Sequence, residues 1–152
     1  LILMYHMKPT DAVALYNRYI GDWGGTSTSY RFEAVKNGKV VKVVRKEPVT
    51  SMHLSAEPDH QNLTERHTYE AAEIRIRALD QNDNIVSFYQ EPVVLSTEGP
   101  IAIIGPEIIS LQGGMGGTYV RTTGEEGVGI LKIKAAQMEE QRILFEVKND
   151  RK

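Results

Sequence analysis

Charged and apolar side chains alternate along residues 73–79, which read EIRIRAL. Successive side chains of a β-strand point to opposite faces of its sheet, so this pattern predicts a strand with Ile74, Ile76 and Ala78 facing a core. The polar residues 80–83 that follow predict a turn.

Short apolar runs of the same kind recur from Val49 onward, with turn residues between them. About seven strands at this spacing predict an immunoglobulin-like antiparallel β-sandwich over residues 49–152. The predicted strands are residues 52–56, 73–79, 93–97, 102–104, 117–121, 128–135 and 143–147.

Residues 1–48 show a different pattern. Apolar side chains recur near the helical period over residues 11–20, which predicts a short helix with Thr10 or Asp11 as its N-cap. Two β-rich runs, residues 30–35 and 39–45, flank an Asn-Gly pair and predict a hairpin with a type I′ turn. We expect the fold to be all-β, an immunoglobulin-like sandwich preceded by this helix and hairpin. The segment is either the remnant of a preceding domain or a cover for a sandwich edge.

Composition narrows the function classes. The 152 residues carry 18 Lys and Arg against 20 Asp and Glu, a formal charge of -2, so we expect neither nucleic acid nor a membrane as partner. With no cysteine there is no disulfide, thiolate nucleophile or Cys-based metal site. We expect no cofactor. The chain shows no targeting signal, which favours the cytoplasm, and its first residue, leucine, suggests a fragment of a longer protein.

Two patterns imitate metal sites. Residues 80–84 (DQNDN) with Glu91 match the spacing of an EF-hand calcium loop, but Ile85 stands where that loop needs glycine. His53, His60 and His67 recur every seven residues, a spacing that aligns ligands only on a helix, and this region is predicted to be strand. We therefore expect no metal site.

The sequence offers no catalytic residues. The glycines of residues 113–117 precede a strand rather than the helix of a phosphate-binding loop, so they favour a close approach of two backbones or a bulge at the sandwich edge. The adjacent glutamates at 125–126 and 139–140 would point to opposite faces of a strand, unlike the paired carboxylates of a glycosidase. Three aromatic residues, Trp23, Phe88 and Tyr89, could stack on a sugar ring or fill the core.

Three stretches resemble a known family. Residues 104–124 (IGPEIISLQGGMGGTYVRTTG) look like the C-terminal immunoglobulin-like domain of family 2 glycoside hydrolases, in particular bacterial β-galactosidases. Residues 72–84 resemble a strand and "D-x-N-G-N" turn of that domain, with Asp83 in place of the turn glycine. Residues 16–24 and 30–32 resemble the segment that precedes it.

The resemblance implies a retaining β-galactosidase as the parent enzyme, acting on terminal β-galactosides with two carboxylates. Those catalytic glutamates belong to a barrel domain with no counterpart in this sequence, so the resemblance assigns no catalytic residue here. It implies a non-catalytic accessory β-sandwich whose partners are the remaining domains of the parent. The alternative is a carbohydrate-binding module that uses exposed aromatic residues such as Trp23.

Overall fold

The computed structural model describes residues 8–19 and 28–150 and divides into two compact units, Leu1–Pro48 and Val49–Lys152. The described part of the first unit contains a helix and a two-stranded sheet. The second unit contains two larger sheets. No helix in the described ranges is long and apolar enough to cross a membrane.

Helix α1 spans Pro9–Tyr19. The carbonyl oxygen of Lys8 accepts hydrogen bonds from the backbone N–H of Asp11 and of Ala12, and the Asp11 carboxylate accepts the Lys8 N–H at 3.2 Å. Lys8 is therefore the N-cap, and the prediction of Thr10 or Asp11 in that place was wrong. The prediction failed because Pro9 favours the first helical position, where its missing N–H costs nothing. The expected stop at Gly21 lies outside the described residues.

The hairpin predicted around Asn37-Gly38 is confirmed. Strand β1 spans Tyr30–Lys36 and β2 spans Lys39–Lys46, paired antiparallel. Asn37 and Gly38 have φ angles of 52° and 74°, the positive values that a type I′ turn requires at both central positions.

The second unit is a sandwich of two sheets. Its strands are β3 Met52–Pro58, β4 Asn62–Glu65, β5 Ala71–Asp80, β6 Pro92–Glu98, β7 Ile101–Ile104, β8 Ile108–Ser110, β9 Met115–Thr122, β10 Gly127–Ala135 and β11 Gln141–Asn149. The four-stranded sheet has the order β3-β5-β9-β7, and the five-stranded sheet has the order β4-β11-β10-β6-β8. All strand pairs are antiparallel except β4 with β11.

All seven predicted sandwich strands are present, but the described part of the second unit contains nine strands. The two missed strands, β4 and β8, are only four and three residues long. In β4 the inward positions are Leu63 and Glu65, so a charged residue occupies a place where the alternation rule expects an apolar one. The prediction of about seven strands is corrected for this reason.

Inward-facing side chains of the two sheets form one hydrophobic core. The four-stranded sheet contributes Ile74, Ile76 and Val120, and the five-stranded sheet contributes Leu131 and Phe145, all fully buried. Ile74, Ile76 and Ala78 face the core as the alternation predicts, because one face of an antiparallel sheet packs inward while the other faces solvent.

Candidate functional site

The predicted polar turn after β5 is held by the carboxylate of Asp80, which forms hydrogen bonds within the turn. Asp80 Oδ1 accepts the backbone N–H groups of Asn82 and Asn84 at 2.8 and 2.9 Å, and both carboxylate oxygens accept the Asn84 side-chain amide. Asp83 has a φ angle of 60°, so it occupies the left-handed conformation that glycine would adopt in the "D-x-N-G-N" turn. The buried Asp80 carboxylate therefore organises the turn.

The glycines of residues 113–117 serve chain packing. Gly113 and Gly114 have positive φ angles and form the loop between Gln112 and Met115. A Cβ on Gly114 would lie 2.4 Å from the Val86 carbonyl oxygen. The predicted close backbone approach is confirmed, and it occurs beside β9, an inner strand of its sheet rather than an edge.

The three histidines of the seven-residue pattern lie in separate surroundings. His53 Nε2 on β3 is 3.3 Å from Asp83 Oδ1, and His67 lines a cavity formed by the loop between β4 and β5. His60 lies in the connection between β3 and β4. In the part of the chain that the structure describes, no three His, Asp or Glu side chains are arranged to hold a metal ion.

His60 lies between two carboxylates. Its Nδ1 is 2.9 Å from Asp59 Oδ1, and its Nε2 is 3.5 Å from Glu70 Oε1. Glu70 also accepts the backbone N–H of Thr64. Through the contacts of Asp59, His60 and Glu70, the segment before β4 lies close to the segment before β5.

The pKa of Asp59 lies below its ordinary value. Burial would raise this pKa, but the backbone N–H groups of His60 and Glu73, which donate to Asp59 Oδ1 at 2.8 and 3.0 Å, and the charge of His60 together outweigh burial. The ionised carboxylate is therefore favoured by the fold.

The adjacent glutamate pairs contact nearby residues of the sandwich. Glu126 Oε1 accepts the Asn149 backbone N–H at 3.1 Å, and Glu140 Oε1 accepts the Arg142 Nε–H at 2.7 Å. The hydrogen bond from Arg142 lowers the pKa of Glu140. The carboxylates of Glu126 and Glu140 therefore bind groups of their own domain.

One buried carboxylate gave no signal in the sequence. Glu65 is 1% exposed, and its Oε2 accepts the backbone N–H of Gly124 at 2.9 Å. The side-chain amide of Asn149 donates to the Gly124 carbonyl oxygen at 2.6 Å. Glu65 therefore connects β4 to the turn between β9 and β10, a partnership between residues 59 positions apart in the chain.

The two described residues of the candidate aromatic set lie in different environments. Trp23 lies outside the described residues. Phe88 is 67% exposed, whereas Tyr89 is 6% exposed and packs in the hydrophobic core. Burial, followed by the charge of Glu91, raises the pKa of Tyr89. Phe88 is the more exposed of the two described rings and lies beside an open groove of about 410 Å³ that Tyr89, Gln90 and Gln137 also line.

The chain is similar in sequence to known β-galactosidases. No protein-family model matches the chain. The chain is 35% identical over 135 residues to a β-galactosidase of Rhizobium radiobacter, a match that covers 84% of this chain and 92% of that protein. It is 34% identical over 99 residues to a β-galactosidase of Rhizobium meliloti, which covers 64% of this chain and 13% of that protein.

A solved structure shows the same fold. A glycosyl hydrolase family 2 member from Bacteroides cellulosilyticus superposes with a TM-score of 0.64 at 16% sequence identity, over 79% of this chain and 17% of that one. The chain thus spans only a small part of this protein and of the Rhizobium meliloti relative. The resemblance carried by residues 72–84 and 104–124 is confirmed. With 35% identity across nearly all of the Rhizobium radiobacter protein, the chain belongs to the β-galactosidase family, and its sandwich has the fold of a domain of family 2 glycoside hydrolases.

Proposed function

We propose that this chain is a non-catalytic accessory region of a β-galactosidase, and that the parent enzyme hydrolyses terminal β-galactosides. The observation that carries the proposal is the small part of one long relative that the chain matches. The chain, whose sandwich has a hydrophobic core of its own, matches only 13% of the Rhizobium meliloti β-galactosidase. Most of the Rhizobium meliloti enzyme therefore lies outside the match, and that part is large enough to contain the catalytic residues.

The use of the carboxylates supports the non-catalytic role. A retaining glycosidase needs two carboxyl groups about 5–5.5 Å apart across a cleft, one of them free to attack the sugar. Here the buried carboxylates of Glu65 and Asp80 accept hydrogen bonds from the backbone of their own domain. On the surface, Glu73 pairs with Arg75 and Glu140 with Arg142. These groups are committed to holding the fold.

The test is hydrolysis of an aryl β-galactoside by the isolated chain, with the Rhizobium meliloti β-galactosidase as the positive control. We expect no turnover above buffer from the chain. Turnover that survives repeated purification would overturn the proposal. A deletion of residues 49–152 from the parent enzyme provides the complementary measurement, and we expect it to lower the melting temperature of the parent.

A further inference from the structure

The β1–β2 hairpin exposes nearly all of its side chains. Every residue of β1 is exposed, and so is every residue of β2 except Val44, which is half-buried. Phe32 is 58% exposed and Val41 is 62% exposed. A two-stranded hairpin is at best marginally stable by itself in water, because it needs further strands or a packed layer to bury its apolar face.

Both faces of this hairpin carry exposed apolar side chains among charged ones. Tyr30 and Phe32 share one face, where their rings stack with centroids 6.4 Å apart. Val43 pairs with Glu33, the neighbour of Phe32, and therefore belongs to the opposite face. Val35 and Val41 are also exposed. Covering one face alone would leave the apolar side chains of the other face in water, so the pattern is that of a sheet with both faces packed.

The hairpin is also strongly basic. Residues 30–46 contain six Lys and Arg and a single acidic residue, Glu33, which pairs with Arg31 at 2.6 Å. Two copies of such a hairpin repel each other, whereas an acidic surface attracts it. The positive charge of the hairpin therefore disfavours a second copy of the hairpin as its partner and favours an acidic surface.

We propose that the hairpin is a docking element whose two faces are covered by an apolar, acidic-rimmed β-structure in the remainder of the parent β-galactosidase. The inference rests on the proposed function, which supplies that parent. The Rhizobium meliloti relative and the family 2 structure each have more than four-fifths of their chains outside the match, which provides ample surface for such contacts.

Hydrogen exchange measured by mass spectrometry tests the proposal on the isolated chain and on the parent enzyme. We expect the amides of residues 30–46 to exchange more than about 100-fold faster in the isolated chain, because packed neighbouring strands protect amides from opening. The amides of β5 and β10 serve as the internal reference and should be protected in both proteins.

Paired substitutions separate docking from a general effect of polar replacements. Phe32→Ser with Val43→Ser alters one residue on each face, and Ile108→Ser with Leu144→Ser is the control at comparably exposed sandwich positions. We expect the hairpin pair to lower the melting temperature of the parent and to leave the main unfolding transition of the isolated chain unchanged. The control pair should leave both unchanged.

Charge reversal at Lys39→Glu and Lys42→Glu tests the acidic partner, and we expect faster hairpin exchange in the parent. Equal hairpin exchange in the isolated chain and the parent would overturn the docking inference and leave the accessory role intact. Galactoside hydrolysis by the isolated chain would instead defeat the proposed function, whatever the exchange result.

Discussion

The backbone at Gly114 approaches Val86 so closely that a Cβ on Gly114 would lie 2.4 Å from the Val86 carbonyl oxygen. Gly114 also connects two other segments. Its N–H donates to the Tyr89 carbonyl oxygen and its own carbonyl oxygen accepts the Ala78 N–H, both at 2.9 Å. The loop before β9 thus fastens the end of β5 to the segment that carries Phe88 and Tyr89.

We expect Gly114→Ala to lower the free energy of unfolding by roughly 2–4 kcal/mol, because it combines a left-handed φ of 76° with a steric clash. Gly113→Ala is the matched control. Its φ is 61°, but its Cβ would meet nothing closer than the Ser87 carbonyl oxygen at 3.8 Å, so only the conformational cost of about 1 kcal/mol applies. Urea denaturation measures both variants. Equal losses would show that the close approach to Val86 does not matter.

Asp83 occupies a left-handed position at the turn after β5, with a φ angle of 60°. We expect Asp83→Gly to raise the free energy of unfolding by about 0.5 kcal/mol and Asp83→Ala to lower it, because only glycine adopts this φ without a Cβ clash. The lost contact with His53 matters little, since both side chains are largely exposed to solvent. Thermal unfolding ranks the wild type and the two variants. An Asp83→Ala variant as stable as Asp83→Gly would contradict a left-handed backbone at this position.

The low pKa of Asp59 makes stability depend on pH. Because the folded pKa lies below the ordinary value of 3.8, the contribution of this carboxylate is present above that pH and is lost as the pH falls through the folded pKa. Asp59→Asn keeps an oxygen that accepts the N–H groups of His60 and Glu73 but carries no charge. We expect the stability advantage of the wild type over this variant to shrink as the pH falls below the ordinary value of 3.8 and through the folded pKa.

Asp59→Ala removes both the charge and the acceptor. We expect a loss of roughly 1 kcal/mol at neutral pH, larger than that of Asp59→Asn. Urea denaturation at a series of pH values measures all three proteins. A difference between wild type and Asp59→Asn that stays constant with pH would show that the carboxylate has no special role.

Sugar binding distinguishes the accessory role from a carbohydrate-binding module. Trp23 is the one tryptophan of the chain, so its fluorescence has a single source. For an accessory region we expect a flat titration with galactose and with lactose, and unchanged NMR signals for residues 88–91. A saturable change that disappears in a folded Trp23→Ala or Phe88→Ala variant would favour the binding module.

Local rules predicted the elements in which neighbouring residues carry the information. The Asn37-Gly38 turn was predictable because few residue pairs adopt two positive φ angles in succession. Strand β5 was predictable because its alternation lasts for several residues and matches the two faces of a sheet. The resemblance in residues 104–124 identified the family before any geometry was known.

Contacts between distant parts of the chain decided which of the remaining polar and aromatic side chains are buried. The sequence determined the fold class, the hairpin and the family, since these follow from local pattern and residue identity. Only the tertiary structure buried Glu65 in β4, because the N–H that compensates its burial comes from Gly124. The tertiary structure also left Phe88 exposed and buried Tyr89. Which of two adjacent rings enters the core depends on packing between the sheets, and the local sequence does not specify it.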